Sequence, residues 1–212
     1  ISTGGNTNGS FVDGYWVATT AATSNIQASA LAAELASRDV YIEALGPSTD
    51  TTAENGSVIF QTSVTKTAGA DRTITIEASK SVMMDLNGIS STSSKLNVVL
   101  WSDSDSTNGG GVRLDGISPS YLIDTNGGHL AIGGGSQTTT WNGLTIPSGY
   151  AQSNNAFGTF WWGVELGVGQ NVSNLKLIRT AGGNLRIYGD ANSGASGTNL
   201  LFGIPWEGGE IN

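Results

Sequence analysis

One short unit recurs three times along this chain, and a recurring unit restricts the fold more than any isolated motif. Ile89-Ser-Ser-Thr-Ser-Ser-Lys95-Leu96-Asn97-Val98 reads the same way as Ile123-Asp-Thr-Asn-Gly-Gly-His129-Leu130-Ala131-Ile132 and Ile178-Arg-Thr-Ala-Gly-Gly-Asn184-Leu185-Arg186-Ile187. In each, an isoleucine precedes a small polar turn, one longer polar side chain, and an apolar-polar-apolar strand pattern. Self-similarity of this kind points to stacked repeats, each too thin to bury its own apolar face.

Short strand patterns fill the rest of the chain. They fall at Val58 to Phe60, Ile74 to Ile76, Val82 to Leu86, Leu96 to Leu100, Val112 to Leu114, Leu130 to Ile132, Leu144 to Ile146, Val164 to Leu166 and Leu185 to Ile187. Turn residues separate them, and Asn-Gly pairs at Asn55, Asn87, Asn108, Asn126 and Asn142 are hairpin signals. Two architectures are compatible with this: an antiparallel sandwich or barrel, and a parallel β-solenoid. The solenoid places like side chains in ladders, with Ile89, Ile123 and Ile178 forming one and Leu96, Leu130 and Leu185 another. That matching favours an all-β, right-handed parallel β-helix (β-solenoid) of roughly eight to ten turns.

One segment departs from the strand pattern. Residues 26–36 space Ile26, Ala30, Leu31 and Leu35 along one helical face, with Ser24 or Asn25 able to cap it. The domain reading is therefore an irregular or partly β segment over 1–25, a solenoid over 26–190 with an aromatic-rich insertion near 147–163, and a polar segment over 191–212 that could cap the end.

Three segments carry a family resemblance. Ser57 to Gly69, Lys95 to Asp105 and Thr125 to Gly135 are similar to repeats of large filamentous haemagglutinin-like exoproteins of bacteria, of the two-partner secretion type. The resemblance spans roughly residues 26 to 190. It implies a right-handed parallel β-helix exported to the bacterial cell surface, with adhesion to a host, cell-surface or matrix protein or glycan. The expectation is a structural, adhesive segment of an extracellular exoprotein or fibre, not an enzyme. Ile1 is not a starting Met, and the chain reads as a piece or mature segment of something longer.

Charge and composition narrow the partners. A net charge of -8 with nine scattered Lys and Arg leaves no basic stripe for nucleic acid, and an acidic surface repels anionic lipid. No apolar run is long enough to insert into a membrane. Absence of cysteine agrees with export but alone decides little.

Candidate chemistry lies in four places. Asp103, Asp105 and Asn108 alternate oxygen donors that suit Ca²⁺, although the sequence breaks the EF-hand pattern and a solvated turn explains it as well. No other cofactor is implied. Asp103, Asp105 and Asp115 could instead be the carboxylates of a polysaccharide-acting β-helix enzyme, the second alternative. His129 is the lone histidine and occupies the position of Lys95 and Asn184 in the sister units, which suggests a structural role. Tyr150, Phe160, Trp161 and Trp162 form an aromatic group suited to stacking on sugar rings or anchoring a protein interface. A self-assembling filament subunit, extending end to end through residues 1–17 and 200–206, is the first alternative function.

Overall fold

The computed structural model describes residues 1–46, 55–107, 109–115, 121–152, 163–167, 176–190 and 210–211. These residues are mostly short strands with one helix. The first and largest sheet runs in the order Gly9–Val12, Tyr15–Ala18, Val40–Ala44, Arg72–Ala78, Leu96–Ser102, Leu130–Trp141 and Leu144–Gly149, and Leu185–Ile187 also pairs with Leu130–Trp141. A second sheet joins Val58–Phe60, Val82–Asp85, Val112–Asp115 and Val164–Leu166. A third joins Val64–Lys66, Ile89–Ser91, Ile123–Asp124, Lys176–Arg179 and Glu210–Ile211. All pairings in the second and third sheets are parallel.

The expected right-handed parallel β-helix is corrected by this arrangement. The sheets are mixed and parallel and none is closed. The first is mixed because two local hairpins pair antiparallel: Gly9–Val12 with Tyr15–Ala18, and Leu130–Trp141 with Leu144–Gly149. Both turn on a residue pair held at positive φ, Asp13 (50°) with Gly14 (87°) and Asn142 (48°) with Gly143 (78°). A two-residue turn of that hand matches the right-handed strand twist and sends the chain back along itself. A turn of this kind overrides the uniform parallel repeat.

Two expected ladders come out differently. Ile89, Ile123 and Ile178 lie side by side in the third sheet, each at most 1% exposed. Leu130 does face Leu185, but its partner on the other side is Val98, while Leu96 lies opposite Arg72. The inferred alignment of that strand is therefore two residues out. A slip of two preserves which side chains face inward, so the apolar pattern alone cannot detect it.

Alternation explains the core. In Arg72–Ala78 the buried residues are Ile74, Ile76 and Ala78, with polar Thr73, Thr75 and Glu77 between them. Inward residues of all three sheets meet in one continuous apolar cluster that includes Phe60, Met84, Leu100, Leu114 and Ile132. A second, smaller cluster lies on the opposite face of the first sheet, where Leu144 and Ile146 of the hairpin cover Val99 and Ala131, with Trp141 at the margin. Burying each of the two hairpin side chains contributes about 1.5–3 kcal/mol.

The expected helix is present as α1, Ala28–Ser37. Leu31 and Leu35 are fully buried on its inner face, with Ile26 just before it. Its N-cap is Gln27 rather than Ser24 or Asn25, and no side chain of its own caps it; instead Asn6 Oδ1 accepts the Gln27 N–H at 2.7 Å. At the other end Arg72 donates to the Ser37 carbonyl at 2.7 Å, placing a cation at the negative end of the helix. The segment 1–25, expected to be irregular or partly β, supplies the first hairpin, with Trp16 buried and Phe11 edge-on to it at 5.2 Å.

Candidate functional site

The acidic turn follows Leu96–Ser102 directly. Asp103 adopts φ 51° and Ser106 φ 54°, and the turn is pinned by Asp103 N–H to the Lys80 carbonyl at 2.9 Å and Ser106 N–H to the Asp103 carbonyl at 2.9 Å. Asp105 accepts the Thr107 N–H at 3.0 Å, an ordinary Asx turn. Asp103 is 4% exposed, and its Oδ1 has no hydrogen-bond partner among the described residues. Burial pushes its carboxyl up to about 7; Asp105 adds to the rise and Lys80 opposes it. Lys80, itself buried, reaches the Thr107 carbonyl at 3.4 Å, so an ammonium already serves this turn. Asn108, the third expected Ca²⁺ donor, lies outside the described residues. Among the described residues no group of three His, Cys, Asp or Glu side chains could hold a metal.

Asp115 belongs to a different constellation. Arg113 donates to Asp115 at 2.8 Å and lies 3.3 Å from Asp85 and 3.9 Å from buried Glu165. Register produces this meeting, since Asp115 pairs with Asp85 and Arg113 with Glu165 across parallel strands. Burial would lower the Arg113 pKa, but the Asp115 hydrogen bond and the charges of Asp85, Asp115 and Glu165 outweigh it and raise the value. Asp85 is raised by burial, opposed by Arg113 and reinforced by Asp115. The charged neighbours of Asp103 are Asp105 and Lys80, whereas those of Asp115 are Arg113 and Asp85. The three carboxylates of the enzyme reading are thus divided between two electrostatic groups. Glu165 was missed in the sequence because its partner is one strand away in space and far away in the chain.

His129 is built into a side-chain ladder on the first sheet. Asp39 accepts the Thr73 N–H at 2.8 Å, Asn97 Nδ2 donates to Thr73 Oγ1 at 3.3 Å, Asn97 Oδ1 accepts the His129 N–H at 2.9 Å, and His129 Nδ1 accepts the Asn184 N–H at 2.9 Å. With Nδ1 as an acceptor, the neutral ring carries its proton on Nε2. The residue equivalent to His129 is therefore Asn97, not Lys95 as the repeat alignment suggests, which is the same two-residue displacement found for Leu96.

The aromatic candidates are placed in part. Tyr150 is 53% exposed and stacks on Tyr188, with ring centroids 5.4 Å apart and planes inclined by 26°. Phe160, Trp161 and Trp162 lie outside the described residues. Ala151–Gln152 pairs in parallel with Gly189–Asp190, which brings the preceding tyrosines together. The Arg186 guanidinium sits 4.2 Å from the centre of the Tyr188 ring. Sequence reasoning missed Tyr188 and Arg186, although the alternation Leu185-Arg-Ile-Tyr188 places them on one face.

Elsewhere, a cleft of about 270 Å³ opens between the third sheet and Tyr121, lined by Ser63, Thr65, Ser90 and Leu86. Its hydroxyls are already engaged, Thr65 with Ser90 at 3.0 Å and Ser63 donating to Asn87 Oδ1 at 3.4 Å. Comparison with protein-family models, with curated proteins and with solved structures finds no match to this chain.

Proposed function

We propose that this chain is a structural and adhesive segment of an extracellular bacterial surface exoprotein or fibre, binding through its surface without catalysis. The observation that carries the reading is the ladder from Asp39 through Thr73, Asn97 and His129 to Asn184, in which polar side chains tie successive parallel strands to one another. The lone imidazole is committed to holding backbone, and Asp115 is committed to Arg113. Polar groups spent on cohesion suit a scaffold. The resemblance of residues 26–190 to filamentous haemagglutinin-like repeats supports the same reading, as does the exposed aromatic pair at Tyr150 and Tyr188.

Adhesion is tested by adding the purified, labelled chain to cultured cells and to plates coated with extracellular matrix. Saturable retention is expected, together with no release of reducing ends from a panel of polysaccharides. Cleavage that disappears in Asp103→Ala or Asp115→Ala would replace the proposal with the hydrolytic alternative.

The filament-subunit reading has one observation in its favour: Leu185–Ile187 pairs only with Leu130–Trp141 among the described residues, leaving its other edge open. Light scattering across a concentration series separates the two, since a filament subunit grows with concentration and an adhesive segment stays at one mass.

A further inference from the structure

Of the arginines in the described residues, Arg38 pairs with Asp13 and Glu34, Arg72 donates to Ser37, Arg113 pairs with Asp85 and Asp115, and Arg179 pairs with Asp124. Arg186 differs. Its one contact among the described residues is the face of Tyr188, and no carboxylate meets it there. Arg72 also meets no carboxylate, but its N–H groups are taken by the Asp71 and Ser37 carbonyls, so Arg186 is the one guanidinium among the described residues with neither an acid nor a carbonyl on it. A cation held over a ring face engages the π system and leaves its N–H donors to be matched by another partner.

What surrounds Arg186 restricts the ligand. Tyr188 is 38% exposed and Tyr150 53% exposed, and no hydrogen bond to either phenol is formed among the described residues. The surface therefore offers an aromatic platform, two hydroxyls and one uncompensated forked cation side by side. Aromatic faces take the C–H face of a pyranose ring, hydroxyls suit its hydroxyl groups, and a guanidinium fork matches a carboxylate in a bidentate pair. Isolated phosphate would use the arginine but not the rings. A neutral sugar would use the rings but leave the arginine unmatched.

We propose that Tyr150, Tyr188 and Arg186 form a binding surface for an acidic oligosaccharide, one sugar stacking on the tyrosines and a uronic-acid carboxylate meeting Arg186. The proposal rests on the adhesive reading above and names the ligand class for it. Placement on the outer face of the first sheet, where Arg186 and Tyr188 alternate with inward-packed Leu185 and Ile187, gives the surface a rigid base.

The test uses a hyaluronan octasaccharide, which alternates glucuronate with a neutral amino sugar, titrated calorimetrically into the full chain. Carboxyl-reduced octasaccharide and dextran sulfate are the two comparison ligands. Binding of hyaluronan is expected, weakened at least about tenfold by carboxyl reduction, by Arg186→Gln and by Tyr150→Ala, with Arg186→Lys intermediate because it keeps the charge and loses the fork. All three positions are on the surface, so circular dichroism of each variant should match the parent. Equal affinity of Arg186→Gln and the parent overturns the proposal, as does absence of hyaluronan binding by the parent. Equal or tighter binding of dextran sulfate with the same dependence on Arg186 would overturn the uronate assignment and make the surface a general polyanion site. Retention on cells or matrix without hyaluronan binding would sink this inference and leave the adhesive reading standing.

Discussion

Asp103 illustrates how much one residue can reveal and conceal. Its place in a Ser- and Asp-rich turn was legible, because such residues satisfy local backbone donors and tolerate positive φ. Its burial was not legible, since only the folded chain brings Lys80 and Ala78 carbonyls over the turn to bond the Asp103 and Ser104 N–H groups. Burial has a consequence for pH. The carboxyl titrates at about 7 in the folded chain, against an ordinary 3.8. Below 3.8 folded and unfolded chains both hold the proton. Between 3.8 and about 7 the unfolded chain has released it while the folded chain keeps it, so the contribution of this group to stability falls as pH rises and levels off above 7. Asp103→Asn removes the titration while keeping a residue that adopts φ 51° readily. Urea midpoints of parent and variant should therefore diverge with pH, the variant gaining at pH 8 relative to its position at pH 4. A constant gap between the two would mean that the ionised carboxylate is not penalised in the fold.

At the level of elements, the Asn-Gly pairs show where local chemistry stops deciding. Asn142-Gly143 closes a hairpin, whereas Asn126 (φ 49°) and Gly127 (φ 91°) adopt the same hand and lead into Leu130–Trp141, which pairs in parallel with Leu96–Ser102. The dipeptide specifies positive φ; the partner waiting for the next strand specifies the pairing. Gly128 shows the difference: a Cβ there would lie 2.3 Å from the Leu96 carbonyl, so this turn is pressed against the start of the strand Leu96–Ser102. The hairpin Leu130–Trp141 with Leu144–Gly149 has the opposite purpose, covering the outer face of the first sheet. Ile146 is 1% exposed against Val99 and Ala131. Ile146→Ala should cost about 2–4 kcal/mol in chemical denaturation, within the range for truncating a buried aliphatic side chain. It should also raise hydrogen exchange at Thr138 to Trp141 more than at Ile74 or Ile123, which belong to the main core. Equal acceleration everywhere would show that the hairpin has no separate cluster to lose.

For the whole molecule, strand content and the identity of inward residues could be read from alternation, and the short helix from its spacing. Sheet organisation could not, because a uniform repeat and a mixed arrangement share the same apolar pattern until hairpins and register are known. The parallel pairings also set how the chain must fold. Ile123 pairs with Ile89 on one side and Ile178 on the other, and Leu130 with Val98 and Leu185, so these parallel ladders join segments far apart in the chain. Each such pairing requires closing a long loop before any ladder bonds are gained, which places the barrier late and high. Refolding after dilution from urea should therefore take on the order of seconds, slower than a helical protein of the same length. The four prolines add a slower phase from unfolded chains holding the wrong isomer. Double-jump stopped-flow fluorescence distinguishes the two, because a brief unfolding pulse leaves the prolines in their native isomers and removes only the proline phase. A seconds-scale phase surviving the short pulse is the expected signature of non-local strand assembly; a submillisecond phase carrying the full amplitude would mean that local hairpins, and not the parallel ladders, limit folding.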